Sequence, residues 1–90
     1  PEGDLVALVK PQFEVGKTEV ENKGIIKDPK KHLNVIIEIR SFMENRGWPL
    51  INITSSPITG QKGNREFLIH CLAKGNFPTI DEDYIRKKIK

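Results

Sequence analysis

Ninety residues, 37% of them hydrophobic and 30% charged, suffice for one small soluble domain with a modest core. Fifteen Lys and Arg against twelve Asp and Glu leave a net charge of +3, a mildly basic balance that suits nucleic acid without requiring it. No run approaches the ~18 apolar residues of a membrane helix, no signal peptide opens the chain, and the single cysteine rules out an internal disulfide and a zinc cluster. Cys71 reads as a reduced core thiol in a cytoplasmic protein. With no initiator Met, and with Pro1-Glu2-Gly3-Asp4 directly before a strand, the chain is expected to be part of something longer.

The first element is Leu5-Val6-Ala7-Leu8-Val9. Its lack of alternation predicts a strand covered on both faces. Pro11 has no N–H and disfavours helix at Lys10, so the strand should stop there, leaving Lys10 at its carboxyl end. Residues 12–28 show no clear period, and Gly16 and Gly24 interrupt any helix. A connection this long is expected to be functional or mobile.

Asp28-Pro29 then opens the clearest helix, with Asp as N-cap and Pro at the first helical position. Val35, Ile36, Ile39, Phe42 and Met43, with Leu33 alongside, form its apolar stripe. Asn34, Glu38, Ser41 and Asn45 form the polar one. Gly47 suits the position after the helix end, and Pro49 prevents continuation.

Leu50-Ile51-Asn52-Ile53-Thr54 reads as a second strand. The loop from Ser55 to Gly63 leads to a third, Asn64 to Leu72, whose apolar run predicts the buried centre of a sheet. Glu66 at its mouth is unusual, because Glu is rarely placed where water is scarce without a partner. Thr79 can cap a terminal helix from Ile80 to Ile89, with Asp81, Glu82 and Asp83 in the first turn and Arg86, Lys87 and Lys88 in the last, as the helix dipole favours. Tyr84 or Ile85, with Ile80 and Ile89, can dock it, although so charged an end can fray. Residues 1–74 are thus expected to carry the sheet, and residues 75–90 to be a helical C-terminal tail.

Strand, helix, strand implies a right-handed crossover and two parallel strands. The third strand returns antiparallel and, inserted between them, acquires its buried character. Lys10 and Glu66 then lie on one edge of the sheet, the carboxyl edge where open α/β sheets bind ligands. Two readings stand: a catalytic or ligand-orienting pair with a tunable lysine, or an ordinary rim ion pair.

Lys10-Pro11-Gln12-Phe13-Glu14, Gly16-Lys17, Asp28-Pro29 and Ser56-Pro57-Ile58-x-Gly60-x-x-Gly63-Asn64-x-Glu66-Phe67-Leu68 occur in an order and spacing that resemble the C-terminal part of the hemolysin-A-like proteins. These are FtsJ-like ribosomal RNA ribose 2′-O-methyltransferases. The resemblance runs over roughly residues 4 to 73. It implies an α/β fold, the C-terminal part of a Rossmann-like methyltransferase sheet (strand, helix, strand, antiparallel strand, then a terminal helix). It also implies S-adenosylmethionine as cofactor and ribosomal RNA as partner.

Of the family's Lys-Asp-Lys-Glu catalytic set, the resemblance places the second Lys at Lys10 and the Glu at Glu66. The other two members and the glycine-rich cofactor loop have no counterpart, so the piece is expected to be inactive alone, with its cofactor site elsewhere. Gly60-x-x-Gly63 leads into a strand and is no substitute. A sheet cut from a larger one has a free edge, so self-association, most simply a dimer, is expected. The alternative function is a non-catalytic RNA-binding or assembly module. A membrane-acting protein is a weaker third reading, since no stretch is a basic lytic helix.

Other residues carry two readings each. Lys17, Lys23 and Lys27 can contact RNA phosphates or simply solvate a loop. Phe13 can stack on a base, but a ring pinning its own loop to the sheet is the favoured expectation. His70 is expected to be a hydrogen-bonded core histidine, because a metal site needs further ligands. His32 is expected to be exposed, and Trp48 to pack the helix end. Asn64 and Ser56 are explained by turn chemistry.

Overall fold

A computed structural model describes residues 3–14, 28–58, 63–73 and 79–89. In chain order the elements are β1 (Asp4–Val9), a helical turn α1 (Pro11–Glu14), α2 (Pro29–Asn45), β2 (Leu50–Ser55), β3 (Phe67–Leu72) and α3 (Glu82–Lys88). The sheet has three strands in the order β1-β3-β2, with β3 antiparallel to both neighbours. The late strand is inserted between the two earlier ones, as its apolar run predicts.

α2 begins and ends as expected. The Asp28 side chain accepts a hydrogen bond from the Lys30 N–H at 2.9 Å, and Pro29 follows it. At the far end Gly47 takes φ 82°, the left-handed conformation in which glycine carries no Cβ penalty. Val35 and Ile36 are buried, while Leu33, Ile39 and Met43 are partly buried and pack against the core. Phe42 departs from the expected stripe. It is 52% exposed, with the Arg46 guanidinium 3.6 Å from its ring centroid. It lies at the margin of the core, in a groove between α2 and β1 that Leu5, Ala7, Leu8 and Met43 also line. Trp48 is half-buried against the core and donates its N–H to the Met43 carbonyl at 2.9 Å, holding the helix end as expected.

The sheet corrects the expectation of strands covered on both faces. β3 alternates strictly: Phe67, Ile69 and Cys71 are buried, while Leu68, His70 and Leu72 are half-buried. The register sets Val6 opposite His70 and Leu8 opposite Leu68, so these four share the second face. Val6 is 68% and Leu8 45% exposed. Among the described residues α2 and α3, the latter with its cap residue, contribute Val35, Ile36, Ile85 and Ile89 to one core cluster with the first-face side chains, so that face is the sealed one. His70 is therefore not a core residue. Its Nε2 lies 2.7 Å from Asp4 Oδ1 on the half-open face.

The terminal helix is shorter than expected and capped elsewhere. Asp81, not Thr79, is the N-cap, its carboxylate accepting from the Tyr84 N–H at 2.8 Å. Thr79 instead donates its hydroxyl to the Leu50 carbonyl at 3.1 Å, and the Ile80 N–H reaches the same oxygen at 2.8 Å. An Asp carboxylate is as good a cap as Thr or better, and Thr79 is occupied as an anchor to β2. Far from fraying, α3 buries Ile85 completely and its cap residue Ile89 almost so.

Candidate active site

The carboxyl ends of β1 and β2 and the amino end of β3 meet at one edge of the sheet. Val9 is the register partner of Phe67, so Lys10 and Glu66 are each one residue beyond the last pair, on the same edge. Topology thus brings them there, but not as an ion pair. Lys10 is exposed, with its ammonium 5.9 Å from the Phe13 ring centroid. Glu66 is 6% exposed, and its Oε2 accepts a hydrogen bond from the Gln12 side-chain amide at 3.0 Å. Ion pairs among the described residues include Arg86 with Glu82 and Asp83.

Gln12 is the residue the sequence reading missed. The run after Pro11 is not loop from its first residue: Pro11–Glu14 forms one helical turn, with the Phe13 N–H bonded to the Lys10 carbonyl at 2.9 Å. The available signal was Pro11 itself, since proline favours the first position of a helix. The turn buries Pro11 completely and delivers Gln12 to Glu66. Gln12 Oε1 is buried and has no hydrogen-bond partner among the described residues. Residues 15–27, with Lys17, Lys23 and Lys27, lie outside the described residues.

Two further expectations are overturned here. Phe13 does not pin its segment to the sheet but stands 66% exposed, because Pro11 anchors the turn and leaves the ring on its outer side. His32 is not exposed but 3% accessible, its ring edge-on to Phe67 with centroids 5.5 Å apart. Position 32 lies one turn before Ile36, on the inward side of α2, so the helix phase decides its burial.

Arg65, next to Glu66, braces the same edge. Its guanidinium donates to the Ile89 carbonyl at 2.6 Å and to Ser55 Oγ at 2.5 Å, joining the end of α3 to the end of β2. Nothing in local sequence pattern marked it, since its partners are 24 and 10 residues away. Ser56 behaves as turn chemistry predicts, its hydroxyl accepting from the Ile58 N–H at 3.3 Å. The Ser56 N–H donates to the Glu66 carbonyl at 2.8 Å, fixing the backbone beside the carboxylate. Asn64 is buried at 2% exposure just before Arg65.

The described residues do not form a cofactor cradle. A nucleotide-type cofactor favours a helix N-terminus with free N–H groups behind a glycine turn. At the start of α2 the Asp28 carboxylate already takes the Lys30 N–H. Gly63, with φ 79°, leads instead into β3. No three His, Cys, Asp or Glu side chains among the described residues are grouped to hold a metal. None of the described helices is long and apolar enough to cross a membrane.

Comparison with known proteins gives the site a context. The family model described as FtsJ-like methyltransferase matches residues 1–72. TlyA of Mycobacterium tuberculosis, a 16S/23S rRNA (cytidine-2′-O)-methyltransferase, is 35% identical over 68 residues, covering 76% of this chain and 25% of that protein. Hemolysin A of Brachyspira hyodysenteriae is 40% identical over 65 residues, covering 72% of this chain and 27% of its own length. YqxC of Bacillus subtilis, provisionally named an rRNA methyltransferase, is 49% identical over 70 residues, or 78% of this chain and 25% of its own. The chain thus spans about a quarter of the length of these relatives. The crystal structure of a Lactococcus lactis protein provisionally named a hemolysin superimposes with a TM-score of 0.82 at 38% identity, covering 99% of this chain and 44% of that one.

Proposed function

From the premise that this chain belongs to the FtsJ-like methyltransferase family, we propose that it is a segment of an S-adenosylmethionine-dependent rRNA ribose 2′-O-methyltransferase. Its three strands form the C-terminal part of a Rossmann-like sheet, with residues 1–74 as the sheet-bearing portion and 75–90 as its tail. Lys10 and Glu66 are the members of the catalytic set in this segment. The observation that carries the reading is the placement of a buried, hydrogen-bonded Glu66 and an exposed Lys10 at the same edge of the sheet.

The donor, when bound, supplies an electrophilic methyl group. Its site belongs to other parts of the protein, since the described residues do not fit it. The residues here act on the other reactant. A ribose 2′-hydroxyl is a poor nucleophile until its proton is removed or the developing alkoxide is stabilised. The Lys10 ammonium, exposed at the edge, supplies a positive field that stabilises the developing alkoxide. Glu66, held by Gln12, faces the same edge as a fixed carboxylate that orients lysine and hydroxyl.

Ribosomal RNA is the partner, and the lysines at 17, 23 and 27 are its phosphate contacts. The cytoplasm is the compartment, and no membrane is involved. The outer edge of β1 pairs with no strand among the described residues, and the 90-residue piece self-associates through it as a dimer. The lack of a cofactor cradle among the described residues favours a second reading, an RNA-binding or assembly module without catalysis.

The test is methyl transfer to rRNA by a protein of the relatives' full length that contains these residues. Lys10→Ala and Glu66→Ala should each lower kcat by roughly a hundredfold or more, in the range of lost acid–base and electrostatic catalysis. Unchanged turnover in both variants would remove the catalytic assignment.

A further inference from the structure

The turn Pro11–Glu14 sorts its side chains. Pro11 is buried and anchors it, while Gln12 points inward to Glu66 at 3.0 Å. Phe13 points outward, 66% exposed, beside the Lys10 ammonium at 5.9 Å. The Phe13 N–H closes the turn on the Lys10 carbonyl at 2.9 Å, so the backbone positions of lysine and ring are fixed relative to each other. We propose that Phe13 is a stacking platform for an unpaired RNA base delivered to the Lys10–Glu66 edge. The proposal rests on the reading of the protein as an rRNA methyltransferase and names the contact that seats its substrate.

The chemistry suits this ligand class. A nucleotide presents a flat π face for the ring, and a ribose and phosphate beside it for the cation. Base–aromatic stacking tolerates any base, because every base has such a face. Sequence-specific proteins commonly bind single-stranded RNA by splaying bases onto aromatic side chains. A ring on an anchored turn loses little conformational freedom on binding.

The other exposed large apolar side chains do not share this setting. Val6 and Leu8 lie on the sheet face, one face of the Phe42 ring is taken by the Arg46 guanidinium, and the Tyr84 hydroxyl is tied to Asn52 at 2.9 Å. Ile58, 76% exposed just beyond the end of β2, offers a second apolar contact at the same edge.

The experiment is RNA binding by a protein of the relatives' full length that contains these residues, with a mixed-sequence single-stranded dodecamer as probe. Phe13→Tyr keeps a ring and should bind within about twofold of the parent. Phe13→Leu keeps apolar bulk without a ring and should weaken binding roughly 5- to 150-fold, the loss of one stacked base. Phe13→Trp should show emission quenched by RNA beyond any change in the parent, a signal a purely structural role does not produce. Circular dichroism and the thermal midpoint confirm that each variant folds. Binding that Phe13→Leu leaves intact, or unquenched Phe13→Trp emission with RNA bound, overturns the stacking role and spares the RNA reading. No binding by the parent and all variants overturns both.

Discussion

The two faces of the sheet are built from similar letters and have different fates. Val9, Ile53, Phe67, Ile69 and Cys71 face the helices and are at most 5% exposed. Val6, Leu8 and Leu68, from the same runs, face the other way with the Asp4–His70 pair among them. Strand composition therefore reports what a strand is suited to bury, whereas the elements packed on it decide what is buried. An apolar run with no alternation suits two covered faces; here the described helices cover one.

That contrast can be broken at its strongest point by cutting matched side chains on the two faces. Phe67→Ala, at 0% exposure, should cost about 3–5 kcal/mol of unfolding free energy through lost burial and a cavity. Leu8→Ala, already 45% exposed, should cost under about 1 kcal/mol. Urea denaturation of both variants checks this, and equal losses would mean that the second face is also sealed.

At the mouth of the sheet a buried polar group takes the place of a buried apolar one. Gln12→Met removes the side chain that donates to Glu66 and leaves the carboxylate short of a partner. This should cost about 1–3 kcal/mol in the same assay. A neutral result would show that Glu66 finds water instead.

The smallest effect belongs to the half-open face. Asp4→Asn loosens the 2.7 Å contact with His70, whose side chains are 37% and 65% exposed for His and Asp. The change in stability should stay within about 0.5 kcal/mol, because solvent screens such a pair. On the sealed face, burial pushes the Cys71 thiol up from its ordinary value, so it stays protonated and shielded while the chain is folded.

Much of this was legible in the sequence because it rests on local chemistry. Asp28-Pro29 starts a helix and Gly47 ends it whatever surrounds them, and the apolar run of β3 marks the central strand. Lys10 and Glu66 share an edge by topology alone. What escaped depended on distant partners. The burial of His32 and the brace at Arg65 arise from packing against elements far along the chain. Thr79 lost the cap to Asp81 because the Leu50 carbonyl claimed its hydroxyl. Gln12 and Phe13 were misread together, because a single helical turn anchored by Pro11 is too short to show a period.

The proposed function gives this segment the hydroxyl-side half of a ribose methyltransferase site. The most direct measurement is mass spectrometry of nucleosides from rRNA treated with a protein of full relative length containing these residues. A 2′-O-methylated nucleoside should appear in the product of the parent and be lost with Glu66→Ala. A methyl group found on a base, or a 2′-O-methyl yield that Glu66→Ala leaves unchanged, would contradict it.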